Sequence, residues 1–110
     1  MKKLKSKKQI KQLFEDGSKI SDFPLRLLFL ESQSTALGVA VGKRNFKLAV
    51  QRNRIKRQMR AAAKVHLFGT IKELKKIYAF MLTYSGNELP NWNHMEEKLK
   101  NISLKLKEQL

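Results

Sequence analysis

The stretch Lys43–Arg60, KRNFKLAVQRNRIKRQMR, holds eight lysines and arginines among its eighteen residues and no aspartate or glutamate. Ammonium and guanidinium groups at this density neutralise phosphates well, and an arginine fork can take two oxygens of one phosphate at once. No other part of the chain competes as a reactive site. There is no cysteine, so disulfides and Cys-based zinc sites are excluded. No serine stands beside a base, and His66 and His94 lack the spacing of a ligand pair. His66 falls on an apolar stripe and reads as a core or interface histidine. His94 reads as a capping or surface residue. Glu96 and Glu97 are consecutive, so they point to different sides of a helix and read as surface charges. Glu15 and Asp16 have only a weak claim on a metal.

For the cations to act together they must share a face, and the spacing supplies one. A helix is expected over 47–67, with Leu48, Ile55, Met59, Ala62 and His66 on one stripe at the helical period. At about 100° per residue, Asn53, Lys56, Arg57 and Arg60 then cluster beside that stripe, Arg54 points in a third direction, and Arg52 lies at the stripe's edge. Lys43 and Arg44 precede the helix and extend the strip. A face that is merely solvated normally mixes signs for i,i+4 pairing, and this one has no acid to pair with.

Around this helix the chain reads as α-β-β-α-β-α. Residues 6–15 form a first helix, with Ser6 as N-cap, Gly17 as stop, and Ile10, Leu13 and Phe14 at helical spacing. Residues 23–31 and 35–43 read as strands, the second with Leu37, Val39 and Val41 on one face. The short Ser32-Gln33-Ser34 connection predicts that they pair as an antiparallel hairpin. Gly69 ends the central helix. Residues 77–84, IYAFMLTY, read as a buried strand. The last helix spans 91–109, with Met95, Leu99, Ile102 and Leu106 on its apolar face and Asn91 or Asn93 as its cap. The expected fold is an α+β sandwich, α-β-β-α-β-α, with a central mixed sheet and a basic central helix. At 110 residues and without repeat or linker, residues 1–110 are expected to be one domain.

Charge points to the partner. The net charge is +15, a self-repulsion that a polyanion relieves. It is also uneven, since ten basic residues and no acid lie between Ser32 and Lys72. No apolar run reaches the roughly 20 residues of a membrane helix, and no secretory h-region follows the basic N-terminus. A cytoplasmic location and a nucleic-acid partner are expected, with neither membrane nor small-molecule substrate.

The order Lys43-Arg44, Ala49-Val50, Arg52-Asn53-Arg54-Ile55-Lys56-Arg57, Arg60 resembles the signature of the bacterial ribonuclease P protein subunit. The leading basic helix ending in Phe14 and Gly17, the strands and the final helix follow the same order. The resemblance therefore spans essentially the whole chain. It implies that the catalyst is an RNA subunit acting with Mg2+ ions, and that the protein carries no catalytic residue, cofactor or metal of its own. The substrate would be precursor tRNA, cleaved to release its 5′ leader. By position, Lys43, Arg44, Arg52, Asn53, Arg54, Lys56, Arg57 and Arg60 would bind the ribonuclease P RNA. Phe14, Arg26 and Leu28 would line a leader cleft between helix and sheet. Two positions depart from the family pattern. Ile10 stands where a second aromatic is common. Leu28 stands where the cleft has a tyrosine, with Phe29 next door if a bulge moves it. Periodicity alone would place Phe14 in the core, whereas the resemblance places it at the cleft wall. The alternative function is a ribosomal or structural RNA-binding protein without a role in cleavage. A DNA-binding factor would call for a helix-turn-helix, which the sequence lacks.

Overall fold

The computed structural model describes all 110 residues. In chain order they form β1 (Lys2–Lys3), α1 (Lys7–Asp16), β2 (Ser18–Asp22), β3 (Leu25–Glu31), β4 (Ala36–Val41), α2 (Ala49–His66), α3 (Phe68–Lys72), β5 (Tyr78–Tyr84) and α4 (Trp92–Gln109). The six expected elements form within two residues of their expected ends. The caps are those read from the sequence. The Ser6 hydroxyl accepts from the Gln9 amide at 3.3 Å, and the Asn91 side chain accepts from the His94 amide at 2.8 Å. Gly17 turns the chain out of α1 into β2. A Cβ there would clash with the Leu13 carbonyl oxygen, so only glycine permits so abrupt a junction.

The expected hairpin does not form. The sheet is mixed, in the order β1-β4-β5-β3-β2, with β5 inserted between β3 and β4. β5 runs antiparallel to β3, pairing Leu27 with Leu82, and parallel to β4, pairing Val39 with Leu82. Strand spacing of about 4.8 Å puts β3 and β4 roughly 10 Å apart, a gap the short 32–35 segment can span. The Ser32 amide bonds the Ile77 carbonyl at 2.9 Å, securing the start of β5 in the gap. The hairpin that does form joins β2 and β3 through a cis Phe23–Pro24 peptide. Neither β2 nor the short α3 was expected, and Gly69 lies within α3 rather than ending a helix.

The register sorts side chains onto two faces. Leu25, Leu27 and Phe29 of β3, Leu37 and Val41 of β4, and Phe80, Leu82 and Tyr84 of β5 face α2, α3 and α4. There they meet Ile55, Met59, Ala62, Leu67, Leu99 and Ile102 in a cluster of 20 buried residues. Leu28, Ala36, Ala79 and Met81 face the other way, where Leu13 and Ile10 of α1 and Leu4 close over them. β5 is thus apolar on both faces, as a central strand requires. Leu48, expected on the buried stripe of α2, is instead 63% exposed, because the helix starts one residue later and Leu48 sits in its non-helical cap position.

α4 ties down the edge of the sheet. Asn101 Nδ2 donates to Asp22 Oδ2 at 2.8 Å, Lys98 Nζ lies 3.5 Å from Asp22 Oδ1, and Lys105 Nζ donates to the Ser21 carbonyl at 2.8 Å. Burial pushes the Asp22 carboxyl up, but the Asn101 hydrogen bond with the Lys98 and Lys105 charges outweighs it and holds the group below its ordinary 3.8. Across the core, His66 Nε2 and Glu96 Oε1 meet at 2.9 Å, joining the last turn of α2 to α4. His66 is therefore an interface residue, and Glu96 is its partner rather than a free surface charge. No helix is long and apolar enough to cross a membrane.

Met59 has 0% of its surface exposed, at the centre of the larger cluster. Met59→Ala is expected to lower unfolding free energy by about 2–5 kcal/mol. Denaturant titration checks this, and wild-type stability would mean that this helix face is not buried.

Candidate nucleic-acid interface

The cations of Lys43–Arg60 stand on two pieces of backbone, and both are fixed. The first is the segment 42–48 between β4 and α2. Phe46 is buried against Tyr84, ring centroids 6.1 Å apart. Asn45 Nδ2 donates to the Gly86 carbonyl at 3.2 Å, linking the segment to the loop after β5. Arg52 Nη1 reaches back to the carbonyls of Phe46 at 2.6 Å and Lys47 at 2.8 Å. These contacts hold the turn that presents Lys43 and Arg44, both exposed. Tyr84 Oη donates to the Glu88 carbonyl at 2.7 Å, and burial, then the Glu88 charge, push the phenol above its ordinary 10.0.

The second piece is α2. With Ile55, Met59, Ala62 and Ala63 buried, the opposite side is solvent-facing: Asn53, Arg54, Arg57 and Arg60 are exposed, and Lys56 is half-buried. Lys64 continues the row one turn beyond Arg60. The first turn of α2 has neither an acidic residue nor a side-chain cap. Its free amides and positive dipole end add to the cations around them. None of the charges from Lys43 to Arg60 is in an ion pair. The four pairs present, Lys11–Glu15, His66–Glu96, Lys76–Glu31 and Lys98–Asp22, all lie elsewhere. The row is a strip of unpaired cations on a rigid support.

The structure gives Arg52 a second duty. Its guanidinium is half-buried and one of its nitrogens is engaged with the segment before the helix. It positions the strip, leaving its remaining donors for a ligand. Sequence spacing could have found Lys64, four residues after Arg60. Nothing in the sequence could have found Asn45, whose partner carbonyls lie forty residues on.

The opposite sheet face carries the other expected site. α1 covers one end of it through Leu13 and Ile10. At the other end Arg26 is exposed, paired with Thr83 on β5 and Ser21 on β2. Phe14 is 49% exposed and joins neither core cluster, because Leu13 fills the buried position beside it. Leu28, expected at the cleft wall, is only 1% exposed and lies among Leu13, Ala79 and Met81. It belongs to the packed floor under α1 rather than to an accessible wall. No bulge brings Phe29 round in its place. The β3–β5 register is continuous, and Phe29 faces the larger core. The tip of the Met81 side chain occupies the space beside Gly38, where a Cβ would come within 2.8 Å of Met81 Cε.

No three His, Asp or Glu side chains converge to hold a metal ion. What this surface presents is unpaired positive charge on α2 and an exposed aromatic ring at Phe14. The two arginine roles can be told apart: Arg52→Ala is expected to cost about 1–3 kcal/mol of stability, because two carbonyls lose a charged donor. Exposed Arg57→Ala should stay within about 0.5 kcal/mol of wild type. Thermal melts of the two variants side by side make the measurement, and equal stabilities would remove the positioning role of Arg52.

A family model described as Ribonuclease P matches residues 1–107. The chain is 31% identical over 108 residues to the ribonuclease P protein component of Porphyromonas gingivalis, covering 89% of this chain and 77% of that one. It is 37% identical over 84 residues to that of a Pseudanabaena species, covering 76% and 70%. Among solved structures, the Staphylococcus aureus RNase P protein superposes with a TM-score of 0.75 at 19% identity, over 96% of this chain and 94% of that one. The RNase P protein from Thermotoga maritima gives 0.74 at 20% identity, over 100% and 98%. At those identities the structures establish a shared fold. The family model and the sequence relatives, spanning most of both chains, carry the assignment further: this chain belongs to the ribonuclease P protein family, the protein component of that endoribonuclease.

Proposed function

We propose that the chain acts as one RNA-binding domain with two working surfaces. The strip of Lys43, Arg44, Arg52, Asn53, Arg54, Lys56, Arg57 and Arg60 binds the catalytic RNA subunit of ribonuclease P. The far side, with Phe14 and Arg26, receives the 5′ leader of precursor tRNA. The observation that carries the first assignment is the absence of any ion pair across the strip. Cations left unpaired on a helix whose other face is buried lower its stability unless a polyanion meets them. Each cation that neutralises a phosphate also releases condensed counterions, which gives affinity without sequence preference.

On this reading the protein supplies charge and position while the RNA performs the cleavage. Mg2+ would be held by RNA phosphates, as the family resemblance implies. Bound there, such ions would supply activation of water and stabilisation of the leaving oxygen. The protein's own part is to reduce phosphate repulsion and hold the leader against the sheet. A cytoplasmic working place follows from this role.

Reconstitution tests the proposal. RNA-free protein should not cleave precursor tRNA, whereas protein with its cognate RNA subunit should release the leader at low magnesium. Arg57→Ala and Arg60→Ala should each weaken RNA-subunit binding and lower its salt slope by up to roughly one phosphate contact. Cleavage by RNA-free protein, or association with ribosomes and not with this RNA, would overturn the proposal.

Phe14→Leu keeps most of the apolar volume and loses the aromatic face. Stacking on an unpaired base is worth roughly 1–3 kcal/mol. The reconstituted variant should therefore bind leader-bearing precursor tRNA more weakly while binding mature tRNA as wild type does. An equal loss for both substrates would assign Phe14 to packing.

A further inference from the structure

A recess of about 500 Å³ lies where the end of α2, the short α3 and the segment leading into β5 meet. Its floor is apolar, made of Phe68, Leu74 and Ile77, and its rim carries Lys64, Lys72 and Lys76. No acidic residue lines it. Glu31 touches the rim only through a 3.9 Å contact with Lys76, and both side chains are more than half exposed. Ile77 is 48% exposed and lines the recess together with the three lysines. Lys64 belongs to both neighbourhoods. It stands four residues after Arg60 on α2, so a chain of phosphates following the strip arrives at this rim.

We propose that the recess takes one unpaired nucleotide of the bound RNA. The base would lie on the Phe68 ring and the Ile77 side chain, and its flanking phosphates would sit among Lys64, Lys72 and Lys76. Two observations select RNA as the occupant. The rim is uniformly cationic, and it is continuous with the strip that has the same character. An apolar floor is of no use to a duplex backbone, whereas every unstacked base has a face that an aromatic ring can meet. This inference rests on the reading of α2 as the RNA-binding face, and it adds a site at which unpaired RNA is distinguished from helical RNA.

The experiment uses the full-length protein and the RNA subunit with 4-thiouridine incorporated throughout. Crosslinked peptides should include residues 64–77. Phe68→Leu and Ile77→Ala should weaken binding of the RNA subunit about fivefold or more, in line with partial loss of one stacked base. Lys72→Ala should lower the salt slope by up to roughly one phosphate contact. Phe68 packs against the core. If its variant melts early, Ile77→Ala and Lys72→Ala decide, because both side chains are exposed. Arg57→Ala runs beside them as the control for the strip. If Arg57→Ala binds as wild type while crosslinks persist at 64–77, the strip reading fails and the recess stands. If Arg57→Ala weakens binding while the three recess variants bind normally and no crosslink falls in 64–77, the recess proposal is overturned and the cavity is left to a protein partner.

Discussion

The arrangement of the molecule depends on the insertion of β5 between β3 and β4. Those two strands are neighbours in sequence, yet each pairs with the later strand rather than with the other. Once β5 runs parallel to β4, the intervening chain must cross the sheet to return to the same end, and α2 is that crossing. The position of the cationic helix is thus a consequence of strand order. So is the double-sided burial of Ala79, Phe80, Met81 and Leu82. A strand covered on both faces supports two layers at once, and alternate residues of one short segment answer to α2 and α4 on one side and α1 on the other.

The two layers are unequal, and the inequality is what gives the protein two surfaces. Three helices cover one face, so α2 can commit Ile55, Met59, Ala62 and Ala63 to the core and still present its other side to solvent. Only one helix of ten residues lies on the opposite face, and it leaves the end around Arg26 open. Charge is distributed to match. The acids that form ion pairs do so on α1, on the β2 edge, at the end of β3 and at the α2–α4 seam, away from the row between Lys43 and Arg60. Repulsion along that row is tolerated because the buried half of the helix holds it in place, with the His66–Glu96 hydrogen bond fastening its far end.

Features local in sequence were legible, and those decided between distant segments were not. Ser6 and Asn91 announce their helices because a cap acts on amides two or three residues away. The Ile55–Met59–Ala62 stripe is legible because one helix turn repeats inside it. The strand pairing was not, since a short loop between two strands suggests a hairpin and nothing near Ser32 reports that Tyr78–Tyr84 will enter the gap. SKISD of β2 has a single buried residue, Ile20, too little for an alternating pattern. Gly69 reads as a stop, yet α3 continues through it. At the site, the basic face of α2 was visible as far as Arg60, but the tether from Arg52 to Phe46 and Lys47 was not. Phe14 is a different case. Its spacing from Ile10 suits the core, and it is Leu13, one residue away, that takes the buried place.

Because both faces of one sheet are engaged, the two surfaces cannot shift independently. Phe80 and Leu82 press on the helices that present the cationic strip, while Ala79 and Met81, one residue removed on the same strand, lie beneath α1. Close-packed interiors transmit displacement rather than absorb it. The backbone of β5 is hydrogen-bonded on both edges, so it cannot slide to accommodate one side alone. On the proposed reading this fixes the distance between the RNA subunit and the leader to the thickness of a sheet and its covering side chains. The protein then acts as a spacer with two charged or aromatic faces. Under that proposal its contribution to cleavage would be to make one geometry of the two RNAs more favourable than the rest, which calls for rigidity between the faces.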